Sequence, residues 1–488
     1  MRKLFMNLER QRVPYLPLFM IVIAFSLTSC LNDPDLLWHI KLGEEIILNK
    51  SLSVADTFSW QKGLVWYQQE WIFDCFIYLV TIPFGGILFE VLYIVNNSLI
   101  LYFGMLFSKA KNKVLYFCVA YFMFAFTPAN HSNRPIEFSV WIIFCLLWVY
   151  IRVMPAAAKT MILFLGGILL SNFHGGMVVS FAGILVSLIL VECFLLITKR
   201  VDSRVQIMGY FCSLVSFLIG IMVCPSGPSL YKHLVVNNGT DTTQYISEWA
   251  PWAPGLTGAL SLAIILLSIG FSLRREDFSV KEYRKIGVLA SVMAIVFLYG
   301  AKGGTLLVFA VCYIAFPYIE SFYEFYFGEG KNKGYGFLTV MGIAVSYFVM
   351  FFDDVGSTYF QKIDKYLPDE VISVLKEATL IDKGDFTVYN DYLMGNFLVW
   401  HDIPCFVDSR QVPYTKEFSE NGSVDDLFTL YLSSFDIGVY NDFFDKYGFK
   451  YVLESKEFYL KDYLGMRGDY LLLYDNGEIR LWVSDEKE

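Results

Sequence analysis

The stretch MVVSFAGILVSLILVECFLLIT, residues 177–198, decides the fold class of this chain of 488 residues. It contains one charged residue, Glu192, and is followed directly by Lys199 and Arg200. An apolar run of this length is long enough to cross the hydrocarbon core of a bilayer as an α-helix. We therefore predict a membrane span here, with its C-terminal end at the cytoplasmic face, where basic residues collect.

The composition extends this prediction to most of the chain. Hydrophobic residues make up 56% and charged residues only 17%, with a mean hydropathy of +0.49. Soluble domains carry about 25% charged residues, so a single soluble domain is excluded, and so is a disordered chain. We predict a helix lying at the interface over 71–83. Eleven spans are predicted, at 14–31, 85–107, 114–129, 136–153, 160–172, 177–198, 205–224, 256–272, 286–301, 304–321 and 335–352.

The placement of Lys and Arg predicts the topology. The segments assigned to the inner side hold 19 basic residues and the outer loops hold six, out of the 25 that precede residue 353. The positive-inside rule then puts the N-terminus in the cytoplasm. With eleven spans the C-terminal part lies outside, which predicts a membrane protein with an extracytoplasmic tail.

The tail differs in composition from the rest. Residues 353–488 carry 27 acidic and 13 basic side chains, a net of −14, against +5 for the remainder of a chain of net charge −9. We expect a transmembrane domain over 1–352, with its first outer loop at 32–71, and a soluble extracytoplasmic α/β domain over 353–488. The predicted elements of the tail are strands at 385–391, 405–410 and 449–455, a helix at 424–434, and a hairpin at 470–484 turning at Asn476-Gly477.

The N-terminal segment fits two descriptions. An apolar run from Val13 to Leu27 follows basic residues, and Leu27-Thr28-Ser29-Cys30 resembles a bacterial lipoprotein cleavage box. The same run fits an uncleaved first span. We favour the span because the chain continues as a multi-spanning protein, and a mature N-terminus at Cys30 would favour the cleavage box.

The first outer loop concentrates the residues that could carry chemistry. Asn32-Asp33-Pro34 has the form of a helix start, in which Asp33 caps and Pro34 takes the first position. Asp35 and His39 are four residues apart and share one face of that helix. Their spacing suits a metal pair, or a carboxylate and a histidine oriented by a hydrogen bond. A purely capping role for Asp33 is the plainer alternative.

The order of the motifs resembles a known superfamily. The loop reads D-P-D-L-x-W-H-x-x-x-G-E at 33–44, D-x-F-S at 56–59 and W-x-x-x-E-W at 66–71. Further matches follow at Arg134-Pro135, Asn172–Gly176, Pro225–Gly227, Glu248-Trp249 and Val407–Arg410. Together they resemble bacterial membrane proteins similar to the polyprenyl-phosphate-dependent glycosyltransferases of the GT-C superfamily. Ser409 stands where the family usually has glycine, and Lys302 where it tends to have arginine.

The resemblance implies an inverting glycosyltransferase that moves a sugar from a polyprenyl-phosphate donor to a glycan, lipid or protein acceptor on the extracytoplasmic face. Asp33 would be the catalytic base, with Asp35 as the second choice and His39 beside them. No cofactor is firmly implied. The need for a divalent metal is left open, with Asp35 and His39 as its ligands. Membrane lipids are expected partners and nucleic acid is not.

The resemblance also assigns binding residues, each with a plainer interpretation. Arg134, His174 and Lys302 would bind the donor phosphate, because cations at a membrane edge are costly unless paired. Arg134 could instead be an interface anchor, and His174 a satisfied residue at a helix break. Residues for the sugar and acceptor would be Glu70, Trp71, Glu248 and Trp249. An interfacial aromatic belt explains the tryptophans equally well.

Two other classes of function compete with the transferase. A transporter or flippase would place ionisable residues near the bilayer midplane, whereas here the polar residues cluster at one rim. A non-catalytic partner in envelope glycan assembly would keep the fold and lose turnover. In the tail, we interpret Asp408 and Arg410 as a structural ion pair and expect the tail to dock over the outer loops.

Overall fold

The computed structural model describes residues 34–52, 56–66, 68–126, 134–151, 154–232, 256–275, 279–299, 304–327, 366–382, 384–414, 437–455 and 460–485. Helices account for nearly all of the described chain before residue 328. These helices are α1 Asp35–Asn49, α2 Trp71–Ser108, α3 Lys113–Phe126, α4 Pro135–Ile151, α5 Ala156–Phe173, α6 Gly175–Ile197, α7 Arg204–Ile221, α8 Leu256–Arg275, α9 Val280–Tyr299, α10 Gly304–Ala310 and α11 Phe316–Phe327. A π-helical turn, Val311–Ala315, joins the last two.

Nine of the eleven predicted spans coincide with these helices, and the other two, 14–31 and 335–352, lie outside the described residues. By length and composition, four described helices could each cross a membrane: Ala156–Phe173, Gly175–Ile197, Arg204–Ile221 and Leu306–Tyr326. The chain therefore has the character of a membrane protein, and the count of eleven stays a prediction. Segment 71–83 is not a separate helix, since it forms the first part of α2 with Pro83 inside the helix.

The chain divides into two compact units. The first comprises 1–31, 87–224 and 246–357, and the second comprises 32–86, 225–245 and 358–488. The second unit thus combines residues 32–86, which include the predicted first outer loop, with the C-terminal residues. The predicted domain boundary at residue 352 was drawn along the sequence, whereas this division follows packing.

In the first unit, small residues allow helices to approach closely. A Cβ atom on Gly220 would collide with the backbone carbonyl of Phe164, and one on Gly167 would collide with that of Phe217. Helices α5 and α7 therefore pack backbone against backbone, as membrane helices with small interface residues do. Nearby, the buried Glu192 of α6 accepts from Arg284 of α9, so the one charge inside the predicted span 177–198 is paired.

The second unit contains a four-stranded sheet with helices around it. Its strands are β1 Val388–Asn390, β2 Tyr451–Ser455, β3 Tyr470–Asp475 and β4 Ile479–Ser484. The order is β1-β2-β4-β3, with β1 parallel to β2 and the other pairs antiparallel. The accompanying helices are α12 Asp369–Ile381, α13 Tyr392–Trp400, α14 Ile437–Tyr447 and α15 Leu460–Arg467.

Most of the tail follows the predicted pattern. The hairpin at 470–484 is confirmed as β3 and β4, and Gly477 takes a positive φ of 86° at its turn. Residues 405–410 were wrongly predicted as a strand: the segment makes one isolated bridge, from Cys405 to Ser59, and its other residues are irregular, ending in a turn at 409–410. The predicted helix at 424–434 lies outside the described residues.

Candidate active site

Helix α1 carries the first loop's polar motif. It begins at Asp35, and Pro34 just before it already has helical backbone angles, φ −66° and ψ −16°. This agrees with the predicted helix start, because proline's fixed φ suits the first turn of a helix. Asp33 lies outside the described residues.

His39 of α1 is held by a buried carboxylate on another helix. Its Nδ1 lies 2.6 Å from Oδ1 of Asp74, and the two side chains are 3% and 1% exposed. The other ring nitrogen, Nε2, lies 3.9 Å from Oε2 of Glu70. The ring also stacks on Trp38 at 3.6 Å and meets the edge of Phe73 at 5.1 Å. These contacts hold the imidazole in one orientation.

The backbones of α1 and α2 are close at the same point. A Cβ atom on Gly43 would collide with the backbone carbonyl of Asp74 and lie 2.9 Å from Cβ of Tyr78. Only glycine fits this contact without displacing a helix. The short His39–Asp74 bond therefore depends on Gly43, which the first-loop motif contains.

The partner of His39 was missed by the sequence reasoning. We predicted that His39 could act with Asp35, whereas its short hydrogen bond goes to Asp74. Sequence alone indicated Asp74 only as a rare charge in an apolar stretch. A usable signal was its position one turn after Glu70, since an acidic residue recurring at i and i+4 at the start of an apolar helix marks one face.

Ser409 connects the tail to the first loop. The indole Nε1 of Trp38 donates to its Oγ at 3.2 Å, and Asn396 Nδ2 donates to the same oxygen at 2.8 Å. The backbone N–H of Ser409 donates to Asn396 Oδ1 at 3.2 Å. The hydroxyl therefore gives Trp38 a hydrogen-bond partner that a glycine at position 409 would lack.

A buried ion-pair network lies next to Ser409. The Arg410 guanidinium bonds Asp408 through its Nε and Nη2, the latter at 2.6 Å, and Nη1 lies 2.6 Å from Oδ1 of Asp56. Tyr414 donates its hydroxyl to Asp408 at 2.8 Å. All three charged side chains are at most 1% exposed. The Asp408–Arg410 pair was predicted, whereas its second carboxylate, from the D-x-F-S motif, was not.

The network shifts the ionisation of its members in ways that follow from burial. Burial raises the pKa of Asp56, an effect that the Arg410 charge only partly offsets. Burial opposes the charge of Arg410, but Asp408 and Asp56 outweigh it and hold its pKa well above the ordinary value. Burial beside Asp408 keeps the pKa of the Cys405 thiol well above its usual range. Cys405 is therefore a structural thiol and not a nucleophile.

The residues predicted to bind the donor phosphate are described in part. Arg134 directly precedes α4, and its carbonyl accepts from the Glu137 N–H at 3.1 Å. His174 separates α5 from α6 and caps the latter, with Nδ1 accepting from the Met177 N–H at 3.2 Å. Both belong to the first unit. Lys302, Glu248 and Trp249 lie outside the described residues.

A metal site is not apparent in the part of the chain that the structure describes. That part contains no group of three or more His, Cys, Asp or Glu side chains arranged to hold a metal ion. His39, the histidine predicted for the metal pair, directs Nδ1 to Asp74. The chemistry proposed below is written without a metal.

Helices of membrane-spanning character and a small four-stranded sheet with its own helices give the chain the class of a membrane protein with an α/β part. Its fold is similar to that of the oligosaccharyltransferase of Archaeoglobus fulgidus, in a crystal structure of the apo form. The TM-score is 0.55 at 11% sequence identity, and the match covers 98% of this chain and 75% of that one. No protein-family model matches the sequence, and no curated protein matches it either.

Proposed function

We propose that this protein is a glycosyltransferase that takes a sugar from a polyprenyl-phosphate donor and passes it to an acceptor on the extracytoplasmic face of the bacterial inner membrane. The observation that carries the proposal is the likeness of fold to an oligosaccharyltransferase over 98% of the chain. The acidic first-loop motif supports it, because glycosyl transfer needs a carboxylate near the acceptor.

The proposed chemistry is a single displacement at the anomeric carbon. The acceptor heteroatom forms the new bond as the bond to the phosphate oxygen breaks, and the acceptor proton goes to a carboxylate. We assign that proton to Asp33, with Asp35 as the alternative, and place His39 behind them as an orienting group. The polyprenyl phosphate leaves with the electron pair and needs cations to stabilise it.

The binding roles follow the residue chemistry. Arg134, His174 and Lys302 are proposed to contact the donor phosphate, since cationic and hydrogen-bonding groups favour a developing phosphate charge. For the sugar and acceptor we propose the acidic and aromatic side chains of the outer loops, whose carboxylates accept from hydroxyls and whose rings pack on sugar faces. These are Glu70, Trp71, Glu248 and Trp249.

A transporter or flippase is less well supported by the described helices. Asp74 and Glu192 are acidic residues in apolar helices, and each contacts a specific basic partner, His39 and Arg284 respectively. Charged side chains that are paired in this way hold helices together, whereas those of a transporter face the path of the substrate through the membrane. A non-catalytic assembly partner would share the fold but would not consume the donor, so a turnover assay distinguishes it from a transferase.

Turnover is tested on the full chain in lipid nanodiscs. A panel of radiolabelled polyprenyl-phosphate hexoses is incubated with an envelope extract as acceptor, and lipid and product fractions are separated. We expect one donor to lose its label to a product at a rate that depends on protein concentration. Consumption of no donor would contradict the transferase. In sealed proteoliposomes, movement of intact donor between leaflets without product would favour the flippase.

Topology provides a second test. We expect a cysteine placed at Asn238 to react with an impermeant thiol reagent in intact spheroplasts, and one at Asn332 to react only after lysis. The native cysteines are first replaced by alanine, so that the label reports the introduced thiol alone. The opposite labelling pattern would put the first outer loop in the cytoplasm, on the wrong side for the proposed reaction.

A further inference from the structure

Two helix faces in the second unit meet along a regular register. Gly43 lies one turn after His39 on α1, and Tyr78 lies one turn after Asp74 on α2, so each pair shares a face of its helix. Gly43 contacts Asp74 and Tyr78, while His39 contacts Asp74 and lies near Glu70. A contact one turn earlier on α1 therefore lies one turn earlier on α2 as well. The contacts advance together on both helices.

Asp74 makes both of the central contacts. Its backbone carbonyl packs against Gly43, and its Oδ1 bonds His39 one turn away. One residue of α2 thus contacts two successive turns of α1, which restricts both the rotation and the sliding of α1. Asp35 lies one further turn back on the same face, in the first turn of α1. The backbone of Asp35 is therefore placed by the same helix that Asp74 restricts.

The chemistry of the contact explains why His39 and Asp74 depend on each other. Oδ2 of Asp74 is buried and has no hydrogen-bond partner among the described residues. The bond between Oδ1 and His39 therefore offsets most of the free-energy cost of burying this side chain. In turn, a carboxylate accepting from Nδ1–H leaves Nε2 directed to Glu70. Both ring nitrogens of His39 therefore face carboxylates, Nδ1 that of Asp74 and Nε2 that of Glu70.

We propose that Asp74 is a positioning residue of the transferase site: through its two contacts with α1 it holds His39 and the acidic first turn of α1 in their working geometry. This inference rests on the proposed function for the reaction it serves. Asp74 itself is buried and transfers no proton to or from substrate. Its contribution is geometric, and misplacement of a reacting group by about 1 Å can cost on the order of a hundredfold in rate.

The first test compares Asp74→Asn, Asp74→Ala and a control, Asp382→Ala. Asp382 is in the same unit and contacts Lys450 at 3.3 Å, away from α1. We expect Asp74→Ala to lower kcat about a hundredfold with KM for the donor within a few-fold of wild type. Asp74→Asn keeps a hydrogen-bond acceptor for His39 and should recover part of kcat. Asp382→Ala should leave kcat unchanged. Equal loss in both Asp74 variants, or a loss in KM alone, would overturn the positioning role.

A second measurement needs no turnover. In full chain labelled with ¹⁵N-histidine, His39→Gln identifies the His39 signal, and hydrogen exchange reports on α1. We expect a hydrogen-bonded Nδ1–H in wild type and Asp74→Asn, and its loss, with faster exchange in α1, in Asp74→Ala and in Gly43→Ala. An unchanged His39 signal in Asp74→Ala would overturn the proposal. If wild type consumes no donor but these signals change as expected, the transferase fails while the contact itself stands.

Discussion

Replacing Arg410 by methionine should destabilise the second unit by about 3–5 kcal/mol, the typical cost of removing one partner from a buried ion pair. The variant leaves Asp56 and Asp408 buried without the cation that both contact. Methionine fills much of the space, so the loss measures the charge and not a cavity. In the full chain in detergent, we expect the unfolding midpoint reported by tryptophan fluorescence to fall by on the order of 10 °C.

The pH dependence of this variant has a defined sign. Burial raises the pKa of Asp56, and without the guanidinium that offsets part of this effect the folded state of the variant binds more protons than the unfolded state. The variant should therefore lose stability as pH rises above about 4, the ordinary aspartate value, and approach wild type in acid. If the variant were less stable than wild type by the same amount at every pH, the substitution would have removed packing contacts and not a charge interaction.

Two comparisons separate the network from general effects. Arg467→Met removes a partly exposed arginine that bonds Asp469 and Asp445 in the same unit, and should cost about 1 kcal/mol or less. Adding Asp56→Asn and Asp408→Asn to Arg410→Met removes the buried charges together and should restore much of the lost stability. If the triple variant were as unstable as the single one, uncompensated charge would not be the cause.

Asp33→Asn should lower the rate of sugar transfer by about a hundredfold to ten-thousandfold, the usual contribution of a positioned general base. Asparagine caps a helix about as well as aspartate, so folding should change little. Donor binding should be kept. The asparagine amide cannot take the acceptor's proton, but the contacts that other residues make with the donor phosphate are unchanged. The measurement is single-turnover transfer from the donor identified above, alongside donor affinity and thermal stability of the same preparation.

Companion variants decide between the base and the cap. Asp35→Asn should be milder than Asp33→Asn if Asp33 is the base, and the order should reverse if Asp35 takes that role. Normal turnover in Asp33→Asn, together with unfolding of Asp33→Ala, would show that Asp33 only caps the helix. The assignment of the catalytic base would then be withdrawn, while the glycosyltransferase proposal would be judged on donor consumption alone.

The features that could be predicted from sequence are those with a local cause. The run at 177–198 predicts a helix because a bilayer offers no hydrogen-bond partners and only length and polarity matter there, and α6 follows at Gly175–Ile197. Asn476-Gly477 predicts a hairpin because its turn needs residues that tolerate positive φ. The strand predicted at 405–410 failed because backbone pairing depends on a neighbour, and here that neighbour is Ser59 alone.

The sequence by itself therefore determined the membrane class of this protein, its acidic α/β tail and the first loop as the place where polar chemistry collects. Only the tertiary structure decided which groups are partners. His39 meets Asp74, 35 residues away, and Trp38 meets Ser409, 371 residues away. Residue type cannot distinguish one carboxylate or hydroxyl from another. The choice depends on the close approach of backbones at Gly43 and on burial, which excludes water and makes a buried polar group without a protein partner costly.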